Sequence, residues 1–156
     1  MPPEPYQHAT ALVLGCHGLL LRGPSGAGKS MLALELLALA RRKGHWAALV
    51  GDDRVVLTAY PSGLVASGAP VLAGQIELRG RGIEGELAER QALIRLVVDL
   101  VPAGQMERMP EDDAFQVTLA GVVVARQPAP ERDLQRQVLL VRAALAQLCN
   151  GAECPV

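Results

Sequence analysis

The sequence predicts an α/β fold in which a mixed β-sheet is combined with few helices. Half of the 156 residues are hydrophobic but only 3% are aromatic, so the core must be aliphatic, as in sheets that pack against helices. Short apolar runs recur between glycine and proline turns, whereas few stretches have helical spacing. This balance favours a sheet with antiparallel as well as parallel pairs. The length fits one domain, residues 1–156.

The predicted strands are apolar runs of strand length that end at turn-forming residues. The first two runs are separated by a tight turn at residues 15–17, and two later pairs turn at residues 61–63 and at residues 120–121. The strand that ends beside Asp52 and Asp53 is apolar, which is typical of a buried position. In chain order, the predicted strands are residues 10–14, 18–21, 46–50, 54–59, 64–66, 75–78, 94–100, 115–119 and 122–125.

Two segments predict helices. Residues 31–42 are rich in Leu and Ala and are followed by Lys43 and Gly44, and cations in the last turn followed by glycine are a typical helix end. Residues 134–148 carry apolar residues at helical spacing and predict the closing helix. Residues 101–113 are polar, contain prolines and predict a long surface loop.

The overall charge and the cysteines argue against several classes of protein. The formal net charge is −1, which gives no electrostatic case for sequence-independent nucleic-acid binding. Cys16, Cys149 and Cys154 are an odd number without metal-ligand spacing, so we expect reduced thiols in a cytoplasmic protein. Residues 1–5 lack the basic flank and apolar run of a signal peptide, and no apolar run reaches the ~20 residues that span a bilayer.

A glycine-rich loop of the pattern G-x-x-x-x-G-K-S joins a predicted strand to a predicted helix. This P-loop pattern is specific in that context, because its glycines let backbone N–H groups converge on phosphate oxygens and the helix N-terminus adds its dipole. Lys29 would contact the β- and γ-phosphates of ATP, and the Ser30 hydroxyl would bind Mg²⁺. The residues predicted to bind the nucleotide are Gly23, Pro24, Ser25, Gly26, Ala27, Gly28, Lys29, Ser30 and Met31.

Asp52 and Asp53 follow a buried strand and are candidates for the second half of this site. A P-loop enzyme needs a carboxylate opposite Ser30 to hold Mg²⁺ directly or through water. Of two adjacent carboxylates, one would face the metal and the other the acceptor hydroxyl, as a general base. The alternative is a solvated turn, for which Asp-Asp pairs are common. Glu77 and Arg79 share one strand face, which is either solvated or turned into the nucleotide cleft.

Four blocks of the sequence resemble motifs that occur together in one bacterial family. His8 precedes the P-loop at the family's fixed interval, and residues 51–55 read G-D-D-R-V, similar to its A-D-D-R-V segment. Residues 76–83 read I-E-L-R-G-R-G-I and match its L-E-I-R-G-x-G-I signature. Residues 130–134, P-E-R-D-L, resemble its P-G-R-N-L segment more weakly. From His8 to about residue 148, the chain looks like the catalytic domain of HPr kinase/phosphorylase, in the short form that lacks an N-terminal domain.

This resemblance implies a P-loop kinase core similar to the fold shared by HPr kinase and PEP carboxykinase. It also implies transfer of phosphate from ATP to a serine of HPr, the phosphocarrier of the sugar phosphotransferase system. Some family members run a reverse, phosphate-dependent phosphorylase reaction as well. The implied partners are HPr or an HPr-like carrier and further copies of the chain, since the family forms hexamers; nucleic acid and membrane are not expected partners.

The resemblance also assigns roles residue by residue. It implies that Asp52 is the base that activates the acceptor serine, assisted by His8. Lys29 and Arg132 would contact the phosphoryl group, with a neighbouring subunit as one source of this arginine.

The metal site follows from the same resemblance. Mg²⁺ would lie among Ser30, Asp53 and Glu77, directly or through water, and Arg79 would steady this cleft. Two alternatives stay open at this point: a kinase of the same fold with a different hydroxyl acceptor, and a nucleotide-binding regulator that transfers nothing.

Overall fold

The computed structural model describes residues 6–156, so the prediction about residues 1–5 lies outside the described part of the chain. Two α-helices, short 3₁₀ turns and β-strands make up the described fold. The strands are β1 (Ala9–Leu14), β2 (His17–Arg22), β3 (Ala47–Asp52), β4 (Val55–Tyr60), β5 (Gly63–Gly68), β6 (Gln75–Leu78), β7 (Gly82–Gly85), β8 (Gln91–Val101), β9 (Gln116–Leu119) and β10 (Val122–Pro130), and the helices are α1 (Lys29–Arg42) and α2 (Leu134–Cys149).

The main sheet is mixed, as predicted. Its strands lie in the order β3-β1-β2-β8-β10-β9, and the hairpin of β4 and β5 joins it through β5 and the start of β8. The central pairs β2–β8 and β8–β10 are parallel, whereas the outer pairs are antiparallel. Strands β6 and β7 form a separate two-stranded sheet. The parallel centre brings the carboxyl ends of β2 and β8 to the edge where the glycine-rich loop begins.

Alternating side chains of the central strands build two cores on opposite faces of the sheet. Leu19 and Leu21 of β2 lie in the larger core, which contains the buried faces of α1 and α2. Leu20, between them, lies in the second core with Leu64 and Ala66 of the β4–β5 hairpin. Both faces of β2 are therefore covered, which holds the start of the glycine-rich loop in place.

Helix α1 ends, and helix α2 begins, at the residue that the sequence predicts. Arg41 and Arg42 occupy the last turn of α1, and Gly44, with φ of +83°, follows it and donates its N–H to the carbonyl of Arg41. At the start of α2, the carboxylate of Asp133 accepts the N–H of Arg136 and caps the helix.

Several boundaries differ from the prediction. Helix α1 begins at Lys29 rather than at residue 31, because the last loop residues already have helical hydrogen bonding. Strand β7 lies in a glycine-rich segment where no strand was predicted. Residues 101–113 contain the 3₁₀ turn Ala103–Gln105 and the start of a second turn, instead of a plain loop.

Strand β10 continues to Pro130, five residues beyond its predicted end at residue 125. Strand β9 pairs only with Val122–Ala125, so in the described chain the rest of β10 has a strand neighbour on one side only. A strand with one free side tolerates Pro128 and Pro130, since the missing N–H groups face away from the ladder. The prolines are therefore the reason why the sequence did not predict this extension. Between residues 6 and 156, neither helix is long and apolar enough to cross a membrane.

Candidate active site

The glycine-rich loop connects β2 directly to α1. Gly26 and Gly28 have φ of +84° and +105°, which is the left-handed region where glycine is favoured. A Cβ at Gly23 would lie 3.0 Å from the Cβ of Leu100, so this position also needs a residue without a side chain. These constraints explain the three glycines of the loop and leave its backbone wrapped around the N-terminus of α1.

Lys29 is buried, at 6% exposure, although it carries a charge. Its Nζ donates to the carbonyl of Gly23 at 2.7 Å and to that of Pro24 at 3.1 Å. Two charge-assisted hydrogen bonds compensate its removal from water. The ammonium group is thus held inside the curve of the loop.

Ser30 faces the carboxylate of Asp52 across the mouth of the loop. The Ser30 hydroxyl lies 3.2 Å from each Asp52 oxygen, and the Thr10 hydroxyl donates to Asp52 Oδ1 at 2.7 Å. This arrangement follows from the sheet, because Thr10 of β1 is the register partner of Asp52 at the end of β3. The neighbouring strands therefore aim Asp52 at the start of α1.

Burial raises the pKa of Asp52 above its ordinary value, and the adjacent charge of Asp53 adds to the increase. Hydrogen bonds from Thr10, from the Glu77 N–H and from Ser30 oppose it without cancelling it. Positive charge near this carboxylate is therefore favourable. A cation beside Ser30 would offset both the desolvation of Asp52 and its repulsion with Asp53.

Asp53 points in another direction. Its φ of +62° is left-handed, which turns its side chain away from that of Asp52. The side chain is 56% exposed, and its Oδ1 lies 3.7 Å from Nδ1 of His8. The resemblance led us to expect His8 beside Asp52, and the structure instead pairs His8 with Asp53.

A cavity of about 340 Å³ opens over the loop. Its wall brings together most of the predicted residues. Asp52 and His8 are not part of the wall, but His8 contacts Asp53, which is. The predicted residues that line it are Ser25, Gly26, Gly28, Lys29, Ser30, Met31, Asp53, Glu77, Arg79 and Arg132. Gly23, Pro24 and Ala27 belong to the loop but are not part of this wall.

Strand β6 and the residue that directly follows it contribute two charged side chains to this cavity. Arg79 donates to the Ser25 hydroxyl at 3.2 Å, and the backbone N–H of Glu77 donates to Asp52 at 3.4 Å. Both Glu77 and Arg79 line the cavity. The sequence left open whether this strand face is solvated or turned into the nucleotide cleft, and in the structure it is turned into the cleft.

Arg132 reaches the loop from the segment before α2. Its φ is +58°, its N–H donates to the carbonyl of Ala27 at 3.0 Å, and its Nε donates to the carbonyl of Gly26 at 3.2 Å. These contacts lie within one chain. The arginine therefore reaches the rim of the loop without a second subunit.

Sequence reasoning missed Thr10, Leu134 and Gln137. Gln137 is 1% exposed and lines the cavity. Its side-chain amide donates to the carbonyl of Pro130 at 2.8 Å, on the side of β10 where the described chain has no neighbouring strand. Leu134 lines the same cavity. A polar residue on the buried face of a predicted helix was the available signal for Gln137. Thr10 required knowledge of the strand register.

The oxygen donors at this site suit Mg²⁺ better than a softer metal. They are the Ser30 hydroxyl, the Asp52 carboxylate and, at the cavity wall, the carboxylates of Asp53 and Glu77. Within residues 6–156, no three His, Cys, Asp or Glu side chains are grouped so that they could hold a metal by themselves. Because Mg²⁺ is commonly held by one or two carboxylates together with substrate phosphates, this donor set fits a metal that arrives with a nucleotide.

The strand, glycine loop and helix, with a carboxylate opposite the loop serine, define a P-loop α/β domain. The family model for the HPr Serine kinase C-terminal domain matches residues 1–150. The chain belongs to this family.

Several curated relatives carry the name HPr kinase/phosphorylase. The protein from Bordetella petrii is 38% identical over 146 residues, which cover 85% of this chain and 44% of the relative. The protein from Clostridium novyi is 30% identical over 166 residues, covering 100% of this chain and 52% of the relative. That from Mycoplasma mycoides is 28% identical and covers 93% and 48%, respectively. The chain thus spans about half the length of the curated relatives it matches.

Among solved structures, the Hpr(Ser) kinase/phosphatase from Coxiella burnetii is similar to this chain. The two are 26% identical, the match covers 92% of each chain, and the TM-score is 0.70. The mixed α/β architecture predicted from the sequence is thereby confirmed as the fold of this family.

Proposed function

We propose that this chain is an ATP-dependent serine kinase that phosphorylates HPr or an HPr-like carrier protein. The observation that carries the proposal is the Ser30 hydroxyl held 3.2 Å from both oxygens of Asp52 at the mouth of the P-loop. P-loop enzymes use such a pair of a hydroxyl and a carboxylate to place Mg²⁺ beside the phosphates. Membership in the HPr serine kinase family supports the choice of acceptor.

The nucleotide triphosphate would bind along the loop from Gly23 to Ser30. The backbone N–H groups and the N-terminus of α1 would face the phosphate oxygens. Lys29, now bonded to the carbonyls of Gly23 and Pro24, would exchange those contacts for the β- and γ-phosphates. The buried position of Lys29 favours this exchange, since phosphate is a stronger partner than a carbonyl.

Ser30 and Asp52 would hold Mg²⁺, with Glu77 nearby at the cavity wall. When bound, Mg²⁺ would neutralise charge that develops on the transferring phosphate. Asp52 is suited to this role because a cation would offset its burial and its repulsion with Asp53, which both raise its pKa. This proposal exchanges the roles that the resemblance gave to the two aspartates.

Asp53 would be the general base that accepts the proton of the acceptor serine. It lines the cavity, is accessible to a protein substrate, and lies 3.7 Å from His8. A protonated His8 would orient this carboxylate and, in the reverse reaction, would assist return of the proton to the leaving serine. The reverse, phosphate-dependent reaction and a homo-oligomeric state stay predictions from the resemblance.

Arg79 and Arg132 would stabilise the transferring phosphoryl group from two sides of the cavity. Arg79 is tied to Ser25, and Arg132 is tied to the carbonyl of Gly26. Guanidinium groups suit this role because their donors match phosphate oxygens in pairs. Positioning and charge stabilisation of this kind account for most catalysis of phosphoryl transfer.

The proposal is tested by incubating the chain with ATP labelled at the γ-phosphate, Mg²⁺ and HPr from the same organism. We expect label on a serine of HPr and none on an HPr variant in which that serine is alanine. A Lys29→Met variant of the chain is the matched control and should lose transfer. Tight Mg-ATP binding without label on HPr would contradict the proposal and leave a different hydroxyl acceptor or a nucleotide-binding regulator.

A further inference from the structure

The C-terminus of α2 holds a pair of thiols that the nucleotide site does not use. Cys149 is the last residue of α2, and its sulfur donates to the sulfur of Cys154 at a distance of 3.1 Å. Asn150 and Gly151, both with left-handed φ of +48° and +87°, reverse the chain between them. The turn therefore brings two cysteines that are five positions apart into direct sulfur–sulfur contact.

The segment after this turn is anchored to the body of the domain. Val156 is 6% exposed and belongs to the larger core, and Cys154 packs against that core. The carbonyl of Cys154 also accepts the Nζ of Lys43, beyond the end of α1, at 2.8 Å. Cys154 is thus held in place from both sides, and its contact with Cys149 does not depend on a loose chain end.

We propose that Cys149 and Cys154 form an intramolecular disulfide that fastens the end of α2 to the C-terminal segment. Both cysteines are partly exposed residues, which favours access by a small oxidant. Cβ atoms joined by a disulfide lie about 3.5–4.5 Å apart, and thiols already in contact need only a small movement to reach that geometry.

The oxidant we assign is a low-molecular-weight disulfide such as glutathione disulfide. The Cys154 sulfur, as thiolate, attacks one sulfur of this disulfide and releases one thiol that takes up a proton. The Cys149 sulfur then attacks the mixed disulfide at Cys154, forms the bond between the two cysteines, and releases the second thiol. Two protein thiols are oxidised, one disulfide is reduced to two thiols, and atoms and electrons balance.

His17 is placed to take part in proton transfer. Its Nε2 lies 3.9 Å from the Cys149 sulfur. Burial, and then the charge of Arg95, lower the pKa of His17, so the ring is a neutral acceptor at neutral pH. Burial and the contact with Cys154 raise the pKa of Cys149 to about 11. A thiol of high pKa is a slow leaving group, which makes the disulfide slow to reduce.

The sequence offers a direct test, because trypsin cuts after Arg142 and finds no further lysine or arginine before the end at Val156. Residues 143–156 are therefore one peptide that contains both cysteines, and Cys16 lies in another. After treatment of the full chain with glutathione disulfide, alkylation and digestion, we expect this peptide without alkyl groups and lighter by two hydrogen atoms. Two alkyl groups, a glutathione adduct or a cross-link to the Cys16 peptide would overturn the proposal.

Two variants and a thermal measurement complete the test. Cys16→Ser should leave the closed peptide unchanged, whereas Cys154→Ser should give Cys149 carrying glutathione or alkyl. Oxidation should raise the Tm of the wild-type chain by about 4–8 °C, since the cross-link restricts the unfolded state. The Cys154→Ser chain should show no such increase. An oxidised wild-type chain with unchanged Tm would contradict the fastening role, and none of these readouts depends on the proposed kinase activity.

Discussion

Asp52 and Asp53 are adjacent in sequence, yet their carboxylates lie in different environments. Asp52 ends a strand and receives the hydroxyls of Thr10 and Ser30, whereas Asp53 turns outward at φ of +62° and meets His8. The sequence predicted that two carboxylates would divide two tasks. Which carboxylate takes which task depends on one backbone angle and on the register of β1 with β3, and neither is visible in the residue pattern.

Replacing Asp52 by Asn should stabilise the chain in the absence of metal and nucleotide. Because the folded pKa of Asp52 is raised above its ordinary value of 3.8, the native state binds more protons than the unfolded state between the two values. The free energy of unfolding therefore falls as pH rises through that window and stays lower above it. Asp52→Asn removes this loss, so its Tm at pH 7 should exceed that of the wild-type chain.

Thermal unfolding with a chelator present measures this effect. The difference in Tm between Asp52→Asn and wild type should shrink as pH is lowered towards the ordinary pKa of 3.8. Asp53→Asn is the matched control, and because the Asp53 side chain is 56% exposed this substitution should change the Tm little. A lower Tm for Asp52→Asn at neutral pH would contradict this view of the buried carboxylate.

At the scale of elements, one ion-pair cluster joins the three parallel strands β2, β8 and β10, near the carboxyl ends of β2 and β8. Asp99 of β8 accepts from Arg22 of β2 at 2.7 and 2.8 Å and also from Arg126 of β10. Arg126 further donates to the carbonyl of Ala114, which fixes the connection before β9. The strand that leads into the P-loop is thereby tied by side chains to β8 and, through Asp99, to β10.

Removing the shared carboxylate should destabilise the domain. Burial alone would raise the pKa of Asp99, but hydrogen bonds from Arg22 and Arg126 outweigh it and hold the pKa below its ordinary value. The stabilisation is therefore present at neutral pH and lost as pH falls through the lowered pKa. Asp99→Ala should lower the free energy of unfolding in urea by about 2–4 kcal/mol, because two partly buried arginines lose their partner.

The control for this change is an exposed pair of the same type. Arg42 and Glu35 on α1 lie 3.4 Å apart, with side chains 61% and 40% exposed. Glu35→Gln should change the unfolding free energy by less than about 1 kcal/mol. Equal effects of the two substitutions would show that the Asp99 cluster does not hold the strand ends.

Helix α2 depends on its cap in a similar way. Asp133 accepts the N–H of Arg136 at 3.1 Å, directly after Arg132 of the cavity wall. Asp133→Ala should cost about 1 kcal/mol in urea unfolding, and Asp133→Asn, which keeps a capping oxygen, should cost less. Identical losses for Ala and Asn would rule out the cap as the source of this stability.

At the scale of the whole molecule, local sequence patterns predicted the helices and strands, whereas the arrangement of the site depends on contacts between distant parts of the chain. The P-loop, helix α1 and strand β6 are visible in the sequence because glycine spacing and apolar periodicity are local signals. The extension of β10 through Pro128 and Pro130 is not visible in the sequence, because it depends on β10 having a neighbouring strand on only one side there. Thr10 and Gln137 reach the site through strand register and helix packing, which one sequence does not encode in a readable pattern.

Nucleotide binding should stabilise the whole domain, because the site joins β1, β3, β6, α1 and the segment before α2. At a concentration about 100 times the Kd, Mg-ATP should add about 2.7 kcal/mol to the unfolding free energy, which raises Tm by roughly 5–10 °C. A thermal shift assay with and without Mg²⁺ measures this change. In Lys29→Met the shift should be largely lost, and an equal shift in both chains would place the nucleotide elsewhere.

The measurement that tests the central claim most directly compares Asp52→Asn with Asp53→Asn in two assays. One is calorimetric titration with Mg²⁺ and a non-hydrolysable ATP analogue, and the other is the rate of label transfer to HPr. Asp53→Asn should keep Mg²⁺-dependent nucleotide affinity and lose transfer by about 10²–10⁴-fold, as expected for a general base. Asp52→Asn should weaken the Mg²⁺-dependent affinity by about 10–100-fold. The reverse pattern, with normal binding in Asp52→Asn and normal transfer in Asp53→Asn, would contradict the division of roles that the geometry supports.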